Sequence, residues 1–255
     1  MPVQQAAPAD RSGLSVSTNR ILAALTPDDY RRVHPHLRPQ ELSRSLVLYE
    51  NESRVADLCF VESGMVSLVT IMKPRSSESA LVGSEGASGM ALFHRMPFAA
   101  ERAVIQAEGY GQLLPAERLP DLLASCPSLV FWLHRFAFAL QAFTAQSSAC
   151  NRGHATEKRL AKWLLLTADR IRVPTMPLTH VFIAQMLGVR RSTVTVTAEQ
   201  LRDEGLIDYR RGKIQITDRE GLERKSCECY GVLKRLYAAA MTQPASTGVY
   251  AEAAN

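Results

Sequence analysis

No run of about 18 uninterrupted apolar residues occurs in the 255-residue chain, so no spanning helix and no membrane partner are expected. Residues 1–13 lack a cationic segment leading into an apolar one, so no export signal is expected there and the expected location is the cytoplasm. Cysteine is scarce and odd in number: Cys59, Cys126, Cys150, Cys227 and Cys229, with none before Cys59. So scattered a set reads as reduced thiols, not a disulfide framework. It also disfavours an iron–sulfur cluster, which needs four converging thiolates, usually from a cysteine-rich N-terminal segment. G-x-S-x-G, P-loop, H-E-x-x-H and paired Cys-x-x-Cys motifs are all missing, which makes an enzyme the least expected class.

The remaining metal-ligating residues form no persuasive set. His34-Pro35-His36 has no carboxylate or cysteine partner and reads as a surface turn. His94 and Cys59 carry no haem signature. Cys227-Glu228-Cys229 could bind metal or respond to oxidation, but thiols two apart on an expected helix should point in different directions, which favours one buried and one exposed. No metal site is expected, and no cofactor beyond an unidentified small-molecule effector.

Charge is present but unevenly placed. Residues 1–150 carry 13 Lys+Arg against 14 Asp+Glu, a net −1, whereas residues 151–255 carry 17 against 11, a net +6. Only the second half is suited to meet a polyanion. Within it, Thr179 can cap a helix with Phe182, Ile183, Ala184, Met186 and Leu187 inward, and Gly188 can end it. A second helix follows with Val194, Ala198 and Leu201 at i, i+4, i+7, closed by Gly205. Its other positions, Arg190, Arg191, Ser192, Thr193, Thr195, Val196 and Gln200, are nearly all hydrogen-bonding or small. Such a face suits base edges in a major groove. Asp208 to Ile216 then alternates around a Gly-containing turn, with Arg210, Arg211 and Lys213 near its tip, as a phosphate-contacting wing would.

Upstream, residues 1–18 and 241–255 read as disordered tails, and Thr26 as a cap for a helix starting at Pro27. From Glu41 to Leu114 short β-like runs, punctuated by Gly, Asn, Glu-Ser or Pro, suggest a roll or barrel, with Glu62-Ser63-Gly64 as a tight turn. Pro127 opens a long helix whose Leu129, Leu133, Phe136, Leu140 and Phe143 fall at steps of 4, 3, 4, 3. This seam reads as the junction of two identical chains, although it could pack on the chain's own roll. Asp218 can cap a single last helix.

The expected fold class is α+β. Its divisions are a roll at 19–126, a dimerisation helix at 127–152, a winged helix-turn-helix at 153–217 and a C-terminal helix at 218–240. That order, with Leu178-Thr179 followed by Ile183 to Val194 as its most specific part and Gly205-Leu206-Ile207 and the wing completing it, resembles the Crp/Fnr superfamily of bacterial transcription regulators. The resemblance covers roughly 19–217. It implies a homodimer with double-stranded DNA, a second copy of itself and RNA polymerase as partners, and a cyclic-nucleotide-binding-like roll. It also implies that Arg191 reads guanine at the head of the recognition helix, and that Thr179, Thr193, Arg211 and Lys213 contact phosphates. Ser192 and Val196 replace the acidic and basic readers of the family's cyclic-AMP receptor, so a different operator is expected. Arg190 stands where the family usually caps with serine, which weakens that cap.

For the effector pocket, the resemblance points to Gly89-Met90 and Arg102-Ala103, with Thr144 on the long helix. The family's Gly-Glu and Arg-Ser are not matched there, although a shifted alignment onto Glu85-Gly86 restores one acid. Cyclic AMP is therefore disfavoured, and a different ligand or none is expected. The competing function is a ligand-sensing interaction module whose winged helix binds protein.

Overall fold

Leu58–Val61 and Met65–Val69 are apolar at almost every position, the pattern of strands covered on both faces. The computed structural model, which describes residues 17–72, 75–171 and 173–242, shows both faces covered. Helices α1 (Arg20–Ala23) and α2 (Pro27–Val33) precede strands β1 (Arg38–Leu42), β2 (Val47–Tyr49), β3 (Asp57–Met72), β4 (Arg75–Val82), β5 (Ala87–Ser88) and β6 (Arg102–Pro115). Helices α3 (Leu119–Ser125), α4 (Pro127–Gly153) and α5 (Thr156–Ile171) follow. Strand β7 (Thr175–Met176) then leads to helices α6 (His180–Leu187) and α7 (Arg191–Asp203). Strands β8 (Ile207–Arg210) and β9 (Lys213–Ile216) and helices α8 (Arg219–Lys225) and α9 (Cys229–Ala240) complete the fold, which is α+β.

The first sheet is antiparallel in the order β1-β6-β3-β4, with β2 added to β6 and β5 to β3. Its interior is a continuous apolar core including Phe60, Val61, Met65, Leu81, Ile105 and Leu114. Glu62-Ser63-Gly64 is not the tight turn expected. Strand β3 runs straight through it, and the register against β6 shifts instead between Val61 and Met65. Gly64 takes φ +80°, and a Cβ on it would lie 2.5 Å from the carbonyl oxygen of Ala107. A bulge of this kind needs glycine, and the same composition that signals a turn serves it equally well.

The tails largely lie outside the described residues, but their inner ends are built into the fold. The Ser17 hydroxyl and the Thr18 backbone N–H each donate to the Glu62 carboxylate at 2.6 Å. Met241 is buried. Thr26 caps α2 through the Asp29 N–H at 3.3 Å, as its position suggested.

The long helix departs furthest from expectation. Leu129, Leu133, Phe136 and Phe143 are buried inside their own chain, and Leu140 is half-buried against the same core. They do not form an open seam for a second copy. Helix α9 lies along α4, and α4 also packs on β4. The Tyr237 ring sits 6.5 Å from that of Phe136 and 5.9 Å from that of Phe143. Arg135 fastens the end of α9 by donating to the carbonyls of Ala240 at 2.7 Å and Ala239 at 2.6 Å. A heptad of apolar residues states that a stripe is buried, not what buries it. The single C-terminal helix expected at 218–240 is in fact two. Asp218 caps the first, accepting from the Gly221 N–H at 2.8 Å, and the chain breaks at Ser226 before α9 begins. That break turns both Cys227 and Cys229 inward, against the expectation that one would be exposed.

Candidate nucleic-acid interface

Two short helices and a three-stranded β7-β9-β8 sheet form the winged part of the chain. Thr179 caps α6 by accepting from the Phe182 N–H at 3.2 Å, and Gly188, at φ +65°, ends it in a left-handed turn. Helix α7 buries Val194, Thr197, Ala198 and Leu201, one more position than the spacing indicated. Its opposite face is solvent-exposed: Arg191, Ser192, Thr193, Val196 and Gln200, with Arg190 just before it. Val196 is 54% exposed, large for an apolar side chain with nothing to cover it in the free chain. Arg190 takes the N-cap position without a side-chain cap hydrogen bond, so the head of α7 keeps its free N–H groups and partial positive charge.

Histidine 180, which sequence reasoning passed over, joins the parts. Its ring stacks on that of Tyr209 in β8, centroids 4.2 Å apart. Its Nδ1 lies 3.0 Å from the Thr195 hydroxyl, which donates to the Arg191 carbonyl at 3.1 Å. With the hydroxyl proton so engaged, the imidazole Nδ1 is left as the donor to Thr195. Burial is the main cause of its lowered pKa, and the nearby Arg191 cation adds to it. Thr195 is thus half-buried and fixes α7 against α6. This differs from the outward placement given to it with the base-reading residues.

The wing turn is Arg211-Gly212, both with φ above zero (49° and 75°), as a two-residue primed hairpin turn requires. An arginine in that conformation carries a steric cost that glycine or asparagine would avoid. The turn therefore holds a cation at the tip at some expense to the fold. A Cβ on Gly212 would lie 3.5 Å from the Thr179 methyl, so the wing tip rests beside the cap of α6. Arg211 and Lys213 are exposed and, like Arg190 and Arg191, take part in no ion pair among the described residues. Arg210 differs, being paired with Asp208 at 3.2 Å.

The residues assigned to the effector pocket do not converge on one cavity. Glu85 pairs with Arg170 of α5 at 2.8 Å, both side chains nearly buried. Arg102 turns outward to Glu50 at 2.6 Å. Met90 and Ala103 are buried in the roll core, and the Gly89 N–H donates to the Tyr49 hydroxyl at 3.0 Å. Gly86 lies directly under the Phe136 ring. Thr144 is exposed on α4, its hydroxyl donating to its own helix at Leu140. An opening of about 810 Å³ lies elsewhere, between residues 92–97 and helices α3 and α4, with Phe93, Met96, Leu119, Leu123, Val130 and His134 among its walls.

The winged part is docked on the roll. Gln185 donates to Ser76 at 3.2 Å and Ser77 to the Met186 carbonyl at 3.3 Å, while Arg159 of α5 donates to the Leu187 carbonyl within the winged part. The Trp163 indole N–H donates to Glu78 at 2.7 Å across the same junction.

Residues 158–225 match the description of a Crp-like helix-turn-helix domain. No curated protein sequence matches the chain. Solved structures do share its fold. FixK2 from Bradyrhizobium japonicum is similar over 75% of this chain and 98% of its own, at 16% identity and a TM-score of 0.63. A transcriptional regulator of the crp/fnr family from Eubacterium rectale is similar over 83% and 95%, at 19% identity and a TM-score of 0.62. The c-di-GMP responsive global regulator CLP of Xanthomonas campestris is similar over 75% and 99%, at 15% identity and a TM-score of 0.63. Among the described residues no single helix is long and apolar enough to cross a membrane. A match confined to the winged part, together with a fold shared along most of the chain, leads to one assignment: residues 158–225 are a Crp-like helix-turn-helix domain, carried on the fold of the Crp/Fnr regulators.

Proposed function

We propose that the chain is a homodimeric, sequence-specific DNA-binding regulator of transcription, acting with RNA polymerase and answering to an effector other than cyclic AMP. The observation that carries this reading is the unpaired outer face of α7 next to an unpaired cationic wing tip. Arg191 and Gln200 offer donors to base edges, and Arg190, Thr179, Thr193, Arg211 and Lys213 offer charge and hydroxyls to phosphates on either side. The unlike effector fits the roll, where Glu85 and Arg102 already hold protein partners and Met90 and Ala103 have no polar group to give.

The test begins with sites selected from a random DNA pool. Arg191→Ala is expected to weaken the selected site by about 1–3 kcal/mol while leaving nonspecific affinity, and its steep loss with added salt, nearly unchanged. Equal weakening of selected and random DNA would remove α7 as the reading helix. Absence of any salt-dependent DNA affinity in the parent would instead favour a winged helix that binds protein.

Dimerisation is proposed through a different stripe of α4 from the one first read. Phe138 is 61% exposed and Phe131 37%, seven residues apart, and Ala142, Ala145 and Ala149 continue the line at steps of 4, 3 and 4. Two copies of such a stripe would cover the two phenylalanines and approach closely at the alanines. Sedimentation is expected to show a dimer for the parent and a monomer for Phe138→Glu. A monomeric parent at the concentrations used for DNA binding would defeat this assignment.

A further inference from the structure

Four side chains that play no part in that reading meet where the long helix ends. Cys150 lies on the last turn of α4, and His154 follows four residues later as the residue that caps its end. Cys227 lies in the break between α8 and α9, and Cys229 is the first residue of α9. The three sulfurs and one imidazole nitrogen all lie within 4.8 Å of one another, and all three cysteines are buried. Cys150 Sγ is 3.6 Å from Cys227 Sγ, and Cys229 Sγ is 3.6 Å from His154 Nδ1. A tetrahedral zinc ion with Zn–S near 2.3 Å requires sulfur–sulfur edges of roughly 3.8 Å. The closest pairs are already at that spacing, and the wider ones need to close by about 1 Å to reach it.

The surroundings independently fit a bound cation with thiolate ligands. His154 Nε2 lies 3.2 Å from the Glu228 carboxylate, the partner that orients a ligating imidazole with its other nitrogen toward the metal. Gln146 donates an N–H to Cys229 Sγ at 3.0 Å. Lys162 is buried, and its ammonium lies 3.4 Å from Cys150 Sγ, with no carboxylate in ion-pair reach among the described residues. A buried ammonium is costly without an anion beside it. A divalent ion with three thiolates and a neutral imidazole carries one net negative charge, which Lys162 cancels.

We propose that Cys150, His154, Cys227 and Cys229 bind one zinc ion, a Cys3His site that fastens the end of α4 to the start of α9 beside the DNA-reading part. All four positions are filled by protein, so the site is structural, with no open position for a substrate. Only Ala155 separates His154 from α5, so the ion would fix the joint through which the long helix meets the winged part. The chelating side chains are 73 or more positions apart in four of the six pairings, which is why neither Cys-x3-His nor Cys-x-Cys alone signalled a site.

The experiment is metal analysis of the full chain purified under reducing conditions, followed by exchange of its metal for cobalt(II). One zinc per chain is expected. The cobalt form should show thiolate-to-metal charge-transfer bands and the intense visible bands of four-coordinate geometry. Cys227→Ser and Cys229→Ser should each lose the metal, and Cys59→Ser, a buried thiol in the roll, should keep it. His154→Cys should also keep it, which separates loss of a ligand from loss of the fold. Glu228→Gln should weaken zinc about tenfold or more. A parent chain with no metal after incubation with excess zinc, or one holding a Cys150–Cys227 disulfide in reductant-free buffer after zinc loading, overturns the proposal. None of these readouts involves DNA, so the regulatory reading stands or falls separately.

Discussion

Phe136→Ala is expected to lower the unfolding free energy by about 3–5 kcal/mol, the range for removing a buried phenylalanine ring. Gly86→Ala is expected to cost about 1–3 kcal/mol by overpacking. The two should be far from additive. A Cβ built on Gly86 falls 1.9 Å from the nearest ring carbon of Phe136, which is wholly buried, so the second methyl has no room while the ring remains. Without the ring, the clash is gone and the methyl fills part of the cavity. The double variant should therefore cost no more than Phe136→Ala alone, a coupling on the order of 1–3 kcal/mol. Urea unfolding of all four members of the cycle, at one fixed protomer concentration because a dimer's stability depends on it, measures the coupling. Additive costs would mean that the ring does not rest on Gly86, and that α4 turns this stripe toward a second chain after all.

That contact also shows where a sequence stops being readable. Thr26, Thr179, Gly188 and Asp218 were legible as helix boundaries because a cap acts within three or four residues of itself. The inner face of α7 was legible for the same reason, since the 3.6-residue period is local. Phe136 was correctly marked as buried, yet its cover is Gly86, 50 positions upstream, and Tyr237, 101 downstream. Periodicity carries no information about either. Glu62-Ser63-Gly64 failed differently, because a turn and a bulge both need glycine at positive φ, and only the pairing with β6 distinguishes them. Within the candidate interface, the exposed cations could be read one at a time. The His180–Tyr209 stack that aligns them could not, since it depends on how α6 meets the wing.

Glu78 supplies a second large effect, this time with pH. Its carboxylate is buried where β4 meets α5, accepting from the Trp163 indole N–H at 2.7 Å and the Ser67 hydroxyl at 2.7 Å. Burial pushes its pKa up to about 7. The two hydrogen bonds, with the more distant Lys162 and Arg170, offset only part of that. The folded-state value thus lies above that of the unfolded chain, and the protonated form favours folding. The contribution is complete below the ordinary glutamate pKa of about 4.3 and declines as pH rises, until it is gone above about 7. Across that window the loss is on the order of 4 kcal/mol, taking 1.36 kcal/mol for each pKa unit. Glu78→Gln stays neutral throughout and can still accept from Trp163. It should flatten the stability profile between about pH 5 and 8 and leave the variant the more stable of the two at the alkaline end. Because the carboxylate bridges the roll to α5, opening should begin at that junction, visible as faster amide exchange in α5 at pH 8 in the parent only. Parallel stability profiles for parent and variant would show that Glu78 is already ionised in the folded chain and that its neighbours, not a proton, compensate its burial.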